Sequence, residues 1–230
     1  MILILRGHVR QSLENDNLYS FLKDIYDIVP FELYIHTWSI KQSSLSWRPM
    51  DEDSTPIIKE TIYSYLRDLV HTVKMIMIDD DVACPIIGRT EGVVCSSTMS
   101  ILGWKRYWYG QYHILDEMGH LLNNKEEPIL NFRFDILNNT FSTSNEENLA
   151  FVKENQSATF TKNKFLKNCC FWGLDNFYMG NYTTMFALVK EIYFNLDKIE
   201  ENYKLCESQE FLFFYRNEQI FYTIGADAAI

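Results

Sequence analysis

The sequence lacks the marks of several protein classes. Its five cysteines, Cys84, Cys95, Cys169, Cys170 and Cys206, are odd in number and form no CxxC pair. Reduced thiols are therefore expected, rather than a disulfide framework or a zinc knuckle. No run approaches the about 18 to 20 uninterrupted apolar residues of a membrane-spanning helix, and the Met1–Leu5 run meets Arg6 too early for a signal peptide. The expectation is a soluble, cytoplasmic protein with no transmembrane segment. Positive charge is also scarce: 21 Lys plus Arg stand against 31 Asp plus Glu, for a net charge of −10. That balance repels phosphate backbones and argues against nucleic acid as a partner. Neither Gly-x-Gly-x-x-Gly nor Gly-x-x-x-x-Gly-Lys-Ser/Thr occurs, so the phosphate cradles of dinucleotide oxidoreductases and P-loop NTPases are missing.

The chain does have material for a core. Over 230 residues, 47% are hydrophobic and 23% charged, enough for one domain spanning residues 1–230. The apolar run Ile2–Leu5 reads as a strand, and Leu18, Phe21, Leu22, Ile25 and Ile28 recur at helical spacing until Pro30. Phe31–Ile35 reads as a second strand. Thr55-Pro56 resembles an N-cap with proline at the first helical position, ahead of a stripe of Ile58, Ile62, Tyr65, Leu66 and Leu69. Met75–Ile78 reads as a third strand, buried on both faces.

The stretch 82–100 has no period and reads as a long loop of the kind kept for function. Trp108, Tyr112, Leu115, Met118 and Leu122 then share a helical face, and Pro128–Phe132 reads as a fourth strand. Beyond Asp135 the pattern loosens: 138–148 reads as polar loop, 159–166 as strand, 185–199 as helix, and the aromatic tail 210–224 as one or two strands.

Strands alternating with helices predict an α/β fold with a Rossmann-type, mostly parallel sheet flanked by helices. In such sheets ligands lie beyond the carboxyl ends of the strands. The four apolar runs end in Arg6-Gly7-His8, His36-Thr37-Trp38, Asp79-Asp80-Asp81 and Arg133-Phe134-Asp135, which gathers charge and small residues on one rim. Gly7 lets a ligand approach the backbone, and Arg6 and Arg10 can meet phosphate.

The order of these pieces resembles glycosyltransferases of the GT-A type. The segments Ile35-His36-Thr37-Trp38, Gly103-Trp104-Lys105-Arg106-Tyr107-Trp108-Tyr109-Gly110, Asn131-Phe132-Arg133-Phe134-Asp135 and Gly173-Leu174-Asp175-Asn176-Phe177-Tyr178-Met179-Gly180 look like the sugar transferases of giant DNA viruses and bacterial capsule loci. The resemblance implies transfer of a sugar from a nucleotide-diphosphate sugar to a hydroxyl of a glycan or glycoprotein acceptor, in the host cytoplasm if the chain is viral. Residues 1–137 would form the nucleotide-sugar half and 138–230 the acceptor-side half. Arg6, Gly7, His8, Arg10, Thr37, Trp38, Asp79, Asp81, Lys105 and Arg133 become the donor-binding candidates, and Arg106 can also reach phosphate from the start of its helix. Asp175 becomes the candidate general base.

The fold's Asp-x-Asp motif, which holds Mn²⁺ or Mg²⁺ on the donor diphosphate, corresponds to Arg133-Phe134-Asp135. Asp135 is thereby the candidate metal ligand and a catalytic-site candidate, while Arg133 stands where the first carboxylate belongs and can neutralise diphosphate directly. That departure permits a second reading, a carbohydrate-binding domain of the same fold without catalysis. A third starts from Asp79-x-Asp81 after an apolar strand, which also marks haloacid-dehalogenase-type phosphatases. Here it sits on the third strand, with Ala83 where Thr or Val is usual.

Overall fold

The computed structural model describes residues 1–46, 50–94, 98–138, 144–160, 165–167, 177–203 and 221–223. In chain order the elements are β1 (Ile2–Arg6), α1 (Asn17–Ile28), β2 (Glu32–Trp38), β3 (Ile40–Gln42), β4 (Asp53–Pro56), α2 (Lys59–Leu66), β5 (Val73–Asp79), α3 (Ile101–Met118), β6 (Ile129–Arg133), α4 (Asn145–Asn155), β7 (Phe165–Lys167), β8 (Phe177–Gly180), α5 (Tyr182–Tyr203) and β9 (Phe221–Thr223). Short 3₁₀ turns follow α2 and β6.

Among the described residues, seven strands form one sheet in the order β5-β2-β1-β6-β8-β7-β9. Its first four strands are parallel, and β8 then runs antiparallel to both β6 and β7. This is the mixed α/β, mostly parallel sheet expected. The chain steps outward from β1 to β2 to β5, then returns to the other side of β1 as β6. That reversal opens a crevice at the carboxyl ends of β1 and β6, where no crossover covers it.

The period of two in the strands divides the core. Ile2, Ile4, Tyr34 and Ile129 face α3 and α5, and Leu3, Leu5, Leu33, Ile35, Leu130 and Phe132 face the helices on the opposite side. Nearly all are fully buried, each contributing about 1.5 to 3 kcal/mol of transfer free energy. α1 buries Leu18, Phe21, Leu22 and Ile25 on one stripe, and the chain leaves the helix at extended Val29, the residue before Pro30.

Three sequence-based expectations change. β5 is not buried on both faces: it is the terminal strand of the sheet, and of its residues only Ile76 is buried. Thr55-Pro56 does not cap a helix: both residues lie in β4, an edge strand paired with β3, where a missing N–H is tolerated. The helix behind them begins at Lys59. The loop expected over 138–148 gives way at residue 145 to α4, because Ser144 and Glu147 build a reciprocal capping box that satisfies its first N–H groups. The tail contributes β9, and the rest of 210–224 lies outside the described residues, as do Cys95, Cys169, Cys170 and Cys206. No described helix is long and apolar enough to cross a membrane.

Candidate functional site

The register of the sheet assembles the site. Arg6 on β1 pairs with His36 on β2 and with Arg133 on β6, so the three side chains stand in one row on the face covered by α3. One residue on, the chain leaves β1 through Gly7 at φ +92°, a conformation that costs glycine little and other residues much. Arg10 also has positive φ, 50°, a left-handed backbone whose cost is about 1 to 3 kcal/mol in a residue with a side chain. The tight turn is held by Gly7 N–H donating to His36 O at 3.1 Å, Thr37 Oγ1 donating to Gly7 O at 2.9 Å, and Arg10 N–H donating to Lys41 O at 2.9 Å.

The result is a cleft lined by Arg6, Gly7, His8, Arg10, His36, Trp38, Arg106, Tyr107, Gln111 and Arg133, with Ser43, Leu45, Ser46, Met99, Gly103 and Gly110 closing its sides. Four guanidiniums therefore meet in a chain of net charge −10. Asp135 answers two of them. Its Oδ1 accepts from Arg133 Nε at 2.8 Å, and its Oδ2 accepts from Arg133 at 2.9 Å and from Arg10. Asp81 pairs with Arg106 at 3.2 Å. Arg6 donates through Nε to Asn131 Oδ1 at 2.7 Å and lies over the Tyr107 ring, 5.1 Å from its centroid.

Several polar atoms beside this cleft are buried without a hydrogen-bond partner: His8 Nε2, Gln111 Nε2 and Arg106 Nε. Gln111 is 1% exposed, and its Oε1 is already committed to the Tyr178 hydroxyl at 2.8 Å, which turns its amide nitrogen elsewhere. Buried orphans of this kind are costly unless a ligand or water completes them. Burial, reinforced by the nearby Arg10 and Arg133 charges, pushes the His8 imidazole down to about 3, so it is neutral at physiological pH. Its ring stacks on Trp38 at 5.7 Å between centroids and 24° between planes.

Behind the cleft, Asp79 Oδ2 bridges His36 Nε2 at 3.1 Å and His113 Nδ1 at 2.7 Å. Burial alone would raise the Asp79 carboxyl, but the bonds from His113 and His36 hold it well below the usual carboxylate range. Burial keeps His36 neutral against the pull of Asp79, whereas the Asp79 bond raises His113. Among the described residues these three donor atoms are one group close enough to share a metal ion, all within 4.8 Å of one another, and imidazole with carboxylate suits a borderline divalent metal.

Of the residues expected at the donor site, Arg6, Gly7, His8, Arg10, Trp38 and Arg133 line the cleft together. Thr37 is buried and acts on the Gly7 turn. Asp79 and Asp81 stand one layer back, on His36 and Arg106. Lys105 does not line the cleft: it is 2% exposed, and its Nζ donates to Ile87 O and pairs with Asp197 of α5, both at 2.6 Å. Asp175 lies outside the described residues. Sequence reasoning did not select Gln111 or Tyr107. The signal was present, because Gly103, Tyr107, Gly110 and Gln111 form a stripe of small and polar groups on a helix otherwise crowded with aromatics.

No family model matches the chain, and no curated protein matches it. Among solved structures it is similar to the galactosyltransferase LgtC in complex with donor and acceptor sugar analogues, at 9% identity and TM-score 0.43, over 97% of this chain and 73% of that one. An active-site mutant of LgtC matches at 11% identity and TM-score 0.44, over 97% and 72%. The glycosyltransferase GlyE of Streptococcus pneumoniae TIGR4 matches at 11% identity and TM-score 0.46, over 97% of this chain and 45% of GlyE.

Proposed function

We propose that the cleft holds the diphosphate of a nucleotide-diphosphate sugar and that the protein transfers the sugar to a hydroxyl of a glycan or glycoprotein acceptor. The observation that carries this reading is the concentration of Arg6, Arg10, Arg106 and Arg133, with unsatisfied Gln111 Nε2 and Arg106 Nε, at the strand-order reversal of an acidic chain. In the reaction the acceptor oxygen forms a bond to the anomeric carbon, the bond from that carbon to the diphosphate breaks, and the electron pair leaves on the diphosphate. Guanidiniums already in place stabilise the charge developing on that leaving group. The acceptor proton goes to a carboxylate base, a role we assign to Asp175. Trp38, packed between His8, His36 and Tyr109, supports the wall of the cleft.

A divalent cation does not fit Asp135 as this chain arranges it. Both carboxylate oxygens accept guanidinium hydrogen bonds, and a metal there would stand against Arg10 and Arg133. No step above runs through a metal.

The test is release of nucleoside diphosphate from a panel of nucleotide sugars, with and without candidate acceptors. Release that depends on an acceptor and falls at least about tenfold in Arg6→Ala supports the reading. Binding without turnover across the panel would leave the carbohydrate-binding alternative, and phosphate release from simple phosphomonoesters would favour the phosphatase.

A further inference from the structure

The arrangement around Asp135 determines how the cleft would take its ligand, and the inference rests on the nucleotide-sugar reading above. A carboxylate that grips a metal must present lone pairs to it. Here Arg133 approaches Asp135 side-on through two nitrogens, and Arg10 shares the second oxygen. The carboxylate thus serves as an internal anion for two guanidiniums, in the bidentate manner by which arginine holds carboxylate and phosphate alike. Arg6, in register with Arg133, donates to the Asn131 amide and lies over the Tyr107 ring, and Arg106 has a buried Nε without an acceptor among the described residues. Asp135 is the carboxylate that follows β6, where the fold's Asp-x-Asp motif would stand.

We infer that the cleft binds diphosphate without a divalent cation, through Arg6, Arg10, Arg106 and Arg133, and that Asp135 is a stand-in anion that holds Arg10 and Arg133 in place and competes with the diphosphate for them.

The inference predicts a sign. Were Asp135 a metal ligand, replacing its charge would weaken binding; as a competing anion, its loss strengthens binding. Calorimetric titration with inorganic pyrophosphate in EDTA should show binding to the wild-type chain, Asp135→Asn should bind about three- to tenfold more tightly, and Arg133→Ala at least about tenfold more weakly. If Asp135→Asn does not fold, the wild-type chain decides: UDP, GDP and ADP should bind in EDTA, and Mn²⁺ should improve the best of them by no more than about threefold. Binding that appears only with Mn²⁺, or a tenfold loss in folded Asp135→Asn, overturns the inference. If nucleoside diphosphates bind in EDTA but no nucleotide sugar is turned over, the transferase reading fails and the metal-free cleft stands. Turnover that requires Mn²⁺ has the opposite consequence, and absence of binding under every condition overturns both.

Discussion

Gly110 offers a sharp test of the packing that sets His36 in the cleft. It lies within α3, where alanine would ordinarily add about 1 kcal/mol through helix propensity. At this position a Cβ would stand 2.6 Å from His36 Cε1 and 2.9 Å from Nδ1, well inside van der Waals contact. The ring has little room to withdraw: it is 1% exposed, bonded to Asp79 at 3.1 Å, and set edge-on to Trp38 at 5.2 Å and 90°. Overpacking of this kind costs about 1 to 3 kcal/mol. Displacing the ring also endangers its bond to Asp79, worth about 0.5 to 1.5 kcal/mol. Gly110→Ala should therefore lose about 1 to 3 kcal/mol net, lowering Tm by about 2 to 4 °C per kcal/mol in a chain of this size. Denaturant unfolding should show a lower midpoint at unchanged slope. In a His36→Ala background the same substitution should be neutral or stabilising, since the obstructing ring is gone. A single mutant as stable as wild type, or a loss that persists without the ring, refutes the reasoning.

Three further outcomes are expected. His113 has a raised pKa because of its bond to Asp79, so its contribution to stability is fully present below its unfolded value of about 6.5 and fades as pH rises through the folded one. The Tm difference between wild type and His113→Gln should accordingly shrink between pH 6 and the alkaline side, and a constant difference would contradict the assignment; lowered His8 acts oppositely but is common to both chains. Lys105→Met should cost about 2 kcal/mol by stranding Asp197, which is 32% exposed, while pyrophosphate affinity stays unchanged; a tenfold affinity loss at full stability would return Lys105 to the donor site. Asp175→Asn should leave nucleotide affinity near wild type and reduce transfer by about 10²-fold, and near-wild-type transfer with the same pH profile would remove Asp175 as base.

The parallel strands were legible as short apolar runs that stop at a charge or turn: β1 and β6 are buried on both faces, the latter interrupted at Asn131, while Met75–Ile78 stands out as a run even though β5 closes one end of the sheet and buries only Ile76. α4 was not, since its residues carry little helical amphipathicity and its one strong signal is the spacing of Ser144 and Glu147. Thr55-Pro56 misled because the same pair suits a helix start and an edge strand, and only pairing with β3 decides between them. β8 escaped as well, a four-residue strand too short to show a period.

The site divides along the same physical line. Residues at or just past the end of a strand, such as Arg6, Gly7, His8 and Arg133, inherit their position from the strand-end rule and could be chosen from sequence. Gln111 and Tyr107 reach the cleft only because α3 packs with that stripe toward the sheet, a matter of tertiary packing. Asp135 shows the remaining step. An acid at the end of a strand is the same one-dimensional signal whether it serves a metal or an arginine, and what separates the two is the neighbour that the fold supplies. That neighbour, Arg10, is 125 residues away in the chain and is brought across by the parallel pairing of β1 with β6 and by the left-handed turn after Gly7. With Arg10 and Arg133 both on its oxygens, the carboxylate neutralises cations instead of gathering one, so the charge of the cleft, and with it the expected sign of Asp135→Asn, follows from a contact that no local motif encodes.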